Sequence, residues 1–178
     1  MNGPANSLTI CVTDAAVCIR VAGRANFSCS ADFKQVIIGL IQQGRRRFVL
    51  DVSECLIMDS TFLGVLTGLV IKPPCGSDAA GELVIELCKP NPRVMDLLDT
   101  LGVAQLFRVT DQKALPDEPF TQAVPSTAAA DKIALSRTSL EAHQALMEAN
   151  PANIPKFKDV AAFLAEDLKK LEQGRVGE

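Results

Sequence analysis

The sequence predicts an α/β fold: a mixed β-sheet of about five strands with helices packed on it, plus a C-terminal helical extension. Three observations carry this reading. Two short β-branched runs, Leu8 to Thr13 and Ala16 to Val21, flank Asp14-Ala15 as a hairpin would. Two continuous apolar runs, RFVLDV ending at Val52 and ELVIELC over 82–88, have the character of strands buried on both faces. Segments with helical apolar spacing follow or separate these runs, which gives the order strand, strand, helix, strand, helix, strand, helix, strand over roughly residues 8 to 110.

Each element has a local reason. Phe33, Val36, Ile37, Leu40 and Ile41 fall on one face of a first helix, with Ser30 placed to cap it and Gly44 to stop it. SECLIM reads as a connection after the RFVLDV strand, and residues from about 60 to 71 as a second helix ended by Pro73-Pro74. A Gly/Ser/Asp loop precedes the next strand. Asn91-Pro92 opens a third helix, an N-cap residue type followed by proline at the first helical position. Its stripe is Val94, Leu97, Leu98 and Leu101; Gly102 closes it, and VAQLFRVT supplies a last short strand.

Residues 111–135 change character, with Pro116, Pro119, Pro125 and many Ala, Ser and Thr, and are expected to form a linker. Residues 136–178 are expected to form a helical hairpin. Thr138 and Glu141 have capping-box spacing for a helix to about Ala149, and Pro155 starts another with Phe157, Val160, Ala161, Leu164, Leu168 and Leu171 on one face. Such a hairpin must bury its stripe on the main domain or on a partner, and a homodimer through these helices is one way to do so.

Bulk properties exclude several classes. The 178 residues carry a net charge of −3, with 48% apolar and 22% charged residues, a globular composition without the footprint of a nucleic-acid binder. The one basic run, Arg45-Arg46-Arg47, reads as a solvated loop. Six cysteines (Cys11, Cys18, Cys29, Cys55, Cys75 and Cys88) form no C-x-x-C pair, and the chain's only histidine, His143, is remote from them in sequence, so neither a zinc site nor any other cofactor is expected. The N-terminal MNGPANSLTI lacks a secretion signal, and the longest apolar stretch, Phe62 to Ile71, is too short to span a bilayer. The expectation is a reduced, cytoplasmic protein.

The stretch IMDSTFLGVL, residues 57–66, interrupts an apolar run with Asp59, Ser60 and Thr61. These are preferred N-cap residues, because their oxygens satisfy the orphan amides of a helix start. A serine hydroxyl there also lies near positive backbone dipole. A phosphoryl group on it would bring roughly −1.5 to −2 charges and three strong acceptors. The helix start would tolerate that group, whereas a docked partner presenting carboxylates or packed apolar atoms would not.

FVLDVSECLIMDSTFLGVL resembles the signature of the STAS domain, the fold of anti-sigma factor antagonists: hydrophobic-Asp-hydrophobic in a strand, a short connection, then Asp-Ser-Ser/Thr-Gly-Leu-Gly opening a helix. Val21-Ala22-Gly23 is similar to that domain's second strand and turn. Gly81 to Leu87, with Asn91, Pro92, Val94, Leu97, Leu98 and Gly102, is similar to its last third. The resemblance covers about residues 8–110 and implies a STAS-like sheet. It also implies that Ser60 accepts a phosphoryl group from a partner serine kinase that is itself an anti-sigma factor, and that a metal-dependent serine phosphatase reverses this. The unphosphorylated protein would capture the anti-sigma factor. Asp59, Thr61, Phe62, Gly23 and Asn26 would then lie at the partner-binding surface.

Phe62 stands where the family usually has glycine, and Gly23-Arg24-Ala25-Asn26 replaces a Gly-Glu-hydrophobic-Asp turn, removing two acidic positions. Enzyme readings are weak: no histidine is expected near any serine or cysteine of the main domain, so the usual nucleophile–base pairs are missing, and there is no lysine-bearing phosphate loop. Asp51, Glu54 and Asp59 form no convincing metal set, because Asp51 lies inside a strand. The competing readings are a non-enzymatic STAS scaffold subunit, stressosome-like or part of a lipid-transport complex, without a phosphorylation cycle, and a small-ligand sensor, which only the fold supports.

Overall fold

The computed structural model of the chain describes residues 7–74, 81–111, 120, 122–124 and 131–175. Strands β1 (Ser7–Val12) and β2 (Val17–Ala25) form the expected hairpin, closed by Thr13, whose hydroxyl donates to the Ala16 carbonyl at 2.9 Å. Helix α1 (Phe27–Gln42), strand β3 (Arg47–Met58), helix α2 (Ser60–Ile71), strand β4 (Val84–Cys88), helix α3 (Pro92–Thr100) and strand β5 (Arg108–Thr110) follow, with a single 3-10 turn at Ala104–Leu106. Strand β6 (Gln122–Ala123) precedes helix α4 (Lys132–Ala149), a second 3-10 turn (Pro151–Asn153) and helix α5 (Ile154–Arg175).

The sheet order is β5-β4-β3-β2-β1-β6. The pairs β2–β3, β3–β4 and β4–β5 are parallel, as their helical crossovers require, and β1 is antiparallel to both its neighbours. Alternating side chains of the strands (Val17, Ile19 and Val21; Phe48, Leu50 and Val52; Ile85 and Leu87) enter one large core with the helices. The opposite sheet face holds a small cluster of Cys11, Ala16, Cys18, Val49 and Cys88, against which Phe120 packs. No disulfide joins the described cysteines. Cys75, the Gly/Ser/Asp loop and most of the segment expected to be a linker, with Pro116, Pro119 and Pro125, lie outside the described residues.

Four local expectations are corrected. Helix α1 is capped by Asn26, not Ser30; Ser30 lies inside the first turn and donates to the Asn26 carbonyl at 2.8 Å. Strand β3 does not end at Val52. It runs through SECLIM to Met58 because the lengthened end of β2 pairs with it, through two register shifts that bracket Gly23 (φ +77°). The Thr138/Glu141 pair does not start a helix: Asp131 caps α4, and Thr138 is buried mid-helix. Gln122–Ala123, within the proline-rich segment, adds an edge strand to β1, and the Val124 amide donates to the Leu8 carbonyl at 2.8 Å.

The C-terminal helices share the main core. Ala142 and Leu146 of α4 belong to the same buried cluster as Phe62, Leu66 and Leu98. Asn150 and Asn153 donate to the Leu101 carbonyl at 3.2 and 2.8 Å, and Lys156 donates to the Thr100 carbonyl at 2.8 Å. These bonds occupy carbonyls that the end of α3 leaves unpaired.

Candidate functional site

The site grows from two parallel strands that end together. Ala25 of β2 pairs with Met58 of β3, and each strand passes at once into a helix, so the N-termini of α1 and α2 lie side by side. In parallel sheets this strand end is where ligands and partners are usually met. Asp59 ties the two helix starts together. Its amide donates to the Ala25 carbonyl at 3.0 Å. Its Oδ1 accepts the Phe62 amide and its Oδ2 accepts the Phe27 amide, both at 2.8 Å. One carboxylate thus caps α2 and anchors the first residue of α1. Asn26 plays the matching part in α1, accepting from the Ser28 amide at 3.2 Å and the Ser28 hydroxyl at 2.6 Å.

Ser60 is the first residue of α2 and half-exposed. Its Oγ lies 3.3 Å from Nε2 of His143 on α4, 83 residues away. One proton joins the pair: the hydroxyl donates to Nε2 in one tautomer, and Nε2–H donates to Oγ in the other. His143 is only 7% exposed, and its ring packs on Phe157 of α5 at 4.9 Å between centroids. Burial pushes its pKa below the ordinary histidine value, although the Ser139 carbonyl one turn back and the Asp59 carboxylate both favour the proton. Nδ1 is buried, and among the described residues no group bonds it with good hydrogen-bond geometry, the Ser139 carbonyl included. The imidazole is therefore neutral near pH 7. The expectation that no histidine stands beside a serine of the main domain is corrected: chain folding supplies the one that sequence distance hid.

The remaining predicted residues divide. Asp59, Asn26 and Ser60 reach the surface. Thr61 is buried, and Phe62 is 0% exposed, its ring 4.8 Å from that of Phe33. Phe62 thus packs α2 on α1 and does not reach the surface. Gly23 is buried in the irregular end of β2. Asp51 lies 3.9 Å from Arg20 and accepts the Ser53 amide at 3.0 Å.

Three exposed apolar side chains flank Asp59: Phe27 (53%), Leu56 (49%) and Ile57 (42%). The sequence contained a signal for one of the adjacent pair Leu56 and Ile57. In a strand with alternating faces, adjacent Leu56 and Ile57 cannot both point inward.

The STAS domain family model matches residues 7–114. The chain is a STAS-domain protein. A crystal structure of a candidate anti-sigma factor antagonist from Thermotoga maritima is 19% identical with a TM-score of 0.51, over 60% of this chain and 87% of that one. An anti-sigma factor antagonist from Mycobacterium paratuberculosis is 15% identical with a TM-score of 0.52, over 64% and 92%. At these identities the two structures establish the shared STAS fold. No curated protein matches the chain. Among the described residues, no helix is long and apolar enough to cross a membrane.

Proposed function

We propose that this STAS protein is a cytoplasmic anti-sigma factor antagonist without enzymatic activity of its own. It binds an anti-sigma factor that is also a serine kinase, and phosphorylation of Ser60 switches it off. A serine phosphatase resets it. The observation that carries the reading is the half-exposed Ser60 at the first position of α2, held by the Asp59 cap at the strand end of a STAS sheet. The two similar structures, one of a candidate anti-sigma factor antagonist and one of an anti-sigma factor antagonist, support the same role. Phe27, Leu56 and Ile57 are exposed on the segments that adjoin Asp59, and a partner closing on this strand end would have to desolvate a phosphoryl group at Ser60.

One observation favours the scaffold reading, in which the same fold holds a partner without a phosphorylation cycle: α4 already packs on α2, and His143 already bonds Ser60. Exposed Val160 and Phe163 on α5 offer that reading an apolar surface for self-association. One experiment separates the two. Wild-type and Ser60→Asp proteins serve as baits in native lysate, and the protein recovered from cells is mapped for phosphoserine. A histidine-kinase-like ATPase held by wild type and lost by Ser60→Asp, with phosphate found on Ser60, supports the switch. Identical captures and an unmodified Ser60 refute it in favour of the scaffold.

A further inference from the structure

We infer that α1 and α2 form a helix-binding face, that α4 is its resident occupant, and that α4 has to lift before another macromolecule can close around Ser60. The inference builds on the reading of Ser60 as the functional residue. It concerns the C-terminal helices, which lie beyond the residues matched by the STAS family.

The contact between α2 and α4 has the features of a fitted site. A Cβ placed on Gly64 would lie 2.5 Å from the Ala142 carbonyl oxygen, and one on Gly68 would lie 3.3 Å from the Ala145 Cβ. The two glycines are one turn apart, so α2 presents a smooth groove and α4 fills it with two alanines. Charges frame the contact. Lys34 of α1 pairs with Glu141, and Lys72 at the end of α2 pairs with Glu148 at 2.5 Å. Glu141-Ala142-x-x-Ala145-x-x-Glu148 is therefore a ligand pattern: small residues at the centre and an acid at each end, matching two glycines and two lysines. His143 lies inside this pattern and reaches Ser60.

The seat is not filled completely. A groove of about 360 Å³ remains open between α1, α2 and α4, with Ile38, Val65, Leu69 and Pro74 in its lining. An enzyme that modifies Ser60 must bring its own groups into line with Oγ, where the His143 ring now stands. A partner helix with the same acidic and small-residue pattern would compete with α4 for one seat.

The test measures access at position 60 in the full chain. Ser60→Cys is labelled with a 5 kDa polyethylene glycol maleimide, and modification is read on the peptide that contains position 60. It is compared with Ser60→Cys/Gly64→Ala and with Ser60→Cys/Glu141→Lys/Glu148→Lys, after circular dichroism shows that each is folded. Amide exchange over 132–149 reports whether α4 has lifted. The Gly64 methyl collides with α4 backbone and leaves the sheet side of α2 untouched, so α4 exchange and labelling at position 60 should rise together, by about 10-fold or more. Where α4 exchange rises and labelling at position 60 does not, the cover is refuted. Where neither variant raises α4 exchange, the proposed seat is refuted. An unmodified Ser60 in protein from native cells would overturn the phosphoswitch and leave the cover standing.

Discussion

Asp59 is the residue whose replacement should separate a structural role from a partner contact. Both of its carboxylate oxygens are engaged at 2.8 Å, one by the Phe62 amide and one by the Phe27 amide. Loss of an N-cap costs about 1 kcal/mol, within a range of roughly 0.5–2. A hydrogen bond to a charged acceptor adds ~1.5–3 kcal/mol, and the lower end applies here because the Phe27 amide is exposed. Asp59→Ala should therefore cost roughly 2–3 kcal/mol. Asp59→Asn keeps one acceptor oxygen but turns an amide donor toward the other N–H, so it should lose about half of that. The assay is urea unfolding, with an unchanged slope and a lowered midpoint. If both variants unfolded within ~0.5 kcal/mol of wild type, Asp59 would not be the strut that joins α1 to α2, and its place at the site would have to be explained by what it touches in a partner. Removing this carboxylate also removes one of the groups that favour protonated His143, so the His143 pKa should fall further.

Three other outcomes follow from the packing. Leu146→Ala should cost about 2–5 kcal/mol in a single unfolding transition, because Leu146 is buried in the main core rather than in a separate hairpin core; two resolved transitions in calorimetry would contradict this. Restoring the family's glycine with Phe62→Gly should remove the contact with Phe33 and place glycine in a helix, a loss of roughly 4 kcal/mol or more, read as a collapse of the thermal midpoint. The His143 pKa is lowered in the fold, so the unfolded chain takes up the proton first as pH falls; the stability tied to neutral His143 is present above the unfolded value of about 6.5 and is lost as pH drops through the folded value. Groups around the ring are Asp59 from the start of α2, Ser60, and Phe157 from α5, and His143→Gln should flatten the slope of stability against pH below about 6.5 relative to wild type.

The alternation of elements was legible because it rests on local periodicity: the β3 and β4 apolar runs, the Asn91-Pro92 start and the Asp59 cap each carry their signal within a few residues. Errors arose where tertiary pairing decides. Ser53 and Glu54 look like the start of a loop, yet β2 continues alongside them and keeps β3 extended to Met58. Ser30 and Asn26 are both good caps, and the choice falls to Asn26 because β2 ends at Ala25. Half of the site was readable for the same reason: Asp59 and Ser60 act within one helical turn, whereas Ser60 meets His143 only because α4 is seated on α2.

The two departures of α2 from a bare STAS helix act on opposite sides of it. Successive helical residues are turned by about 100°, so Phe62 and Gly64 are separated by about 200° around the axis. Phe62 points inward and meets Phe33, which makes the loss of the family's glycine a matter of how α2 packs on α1. Gly64 keeps a glycine of the Asp-Ser-Ser/Thr-Gly-Leu-Gly pattern and points outward, where the Ala142 backbone comes too close for any side chain. The substitution at 62 therefore leaves the outer surface of α2 alone. What changes the surroundings of Ser60 is the extension, which uses a glycine the family pattern already contains and brings one neutral imidazole to the hydroxyl. Any account of partner choice in this protein has to begin with α4 rather than with the residue beside the serine.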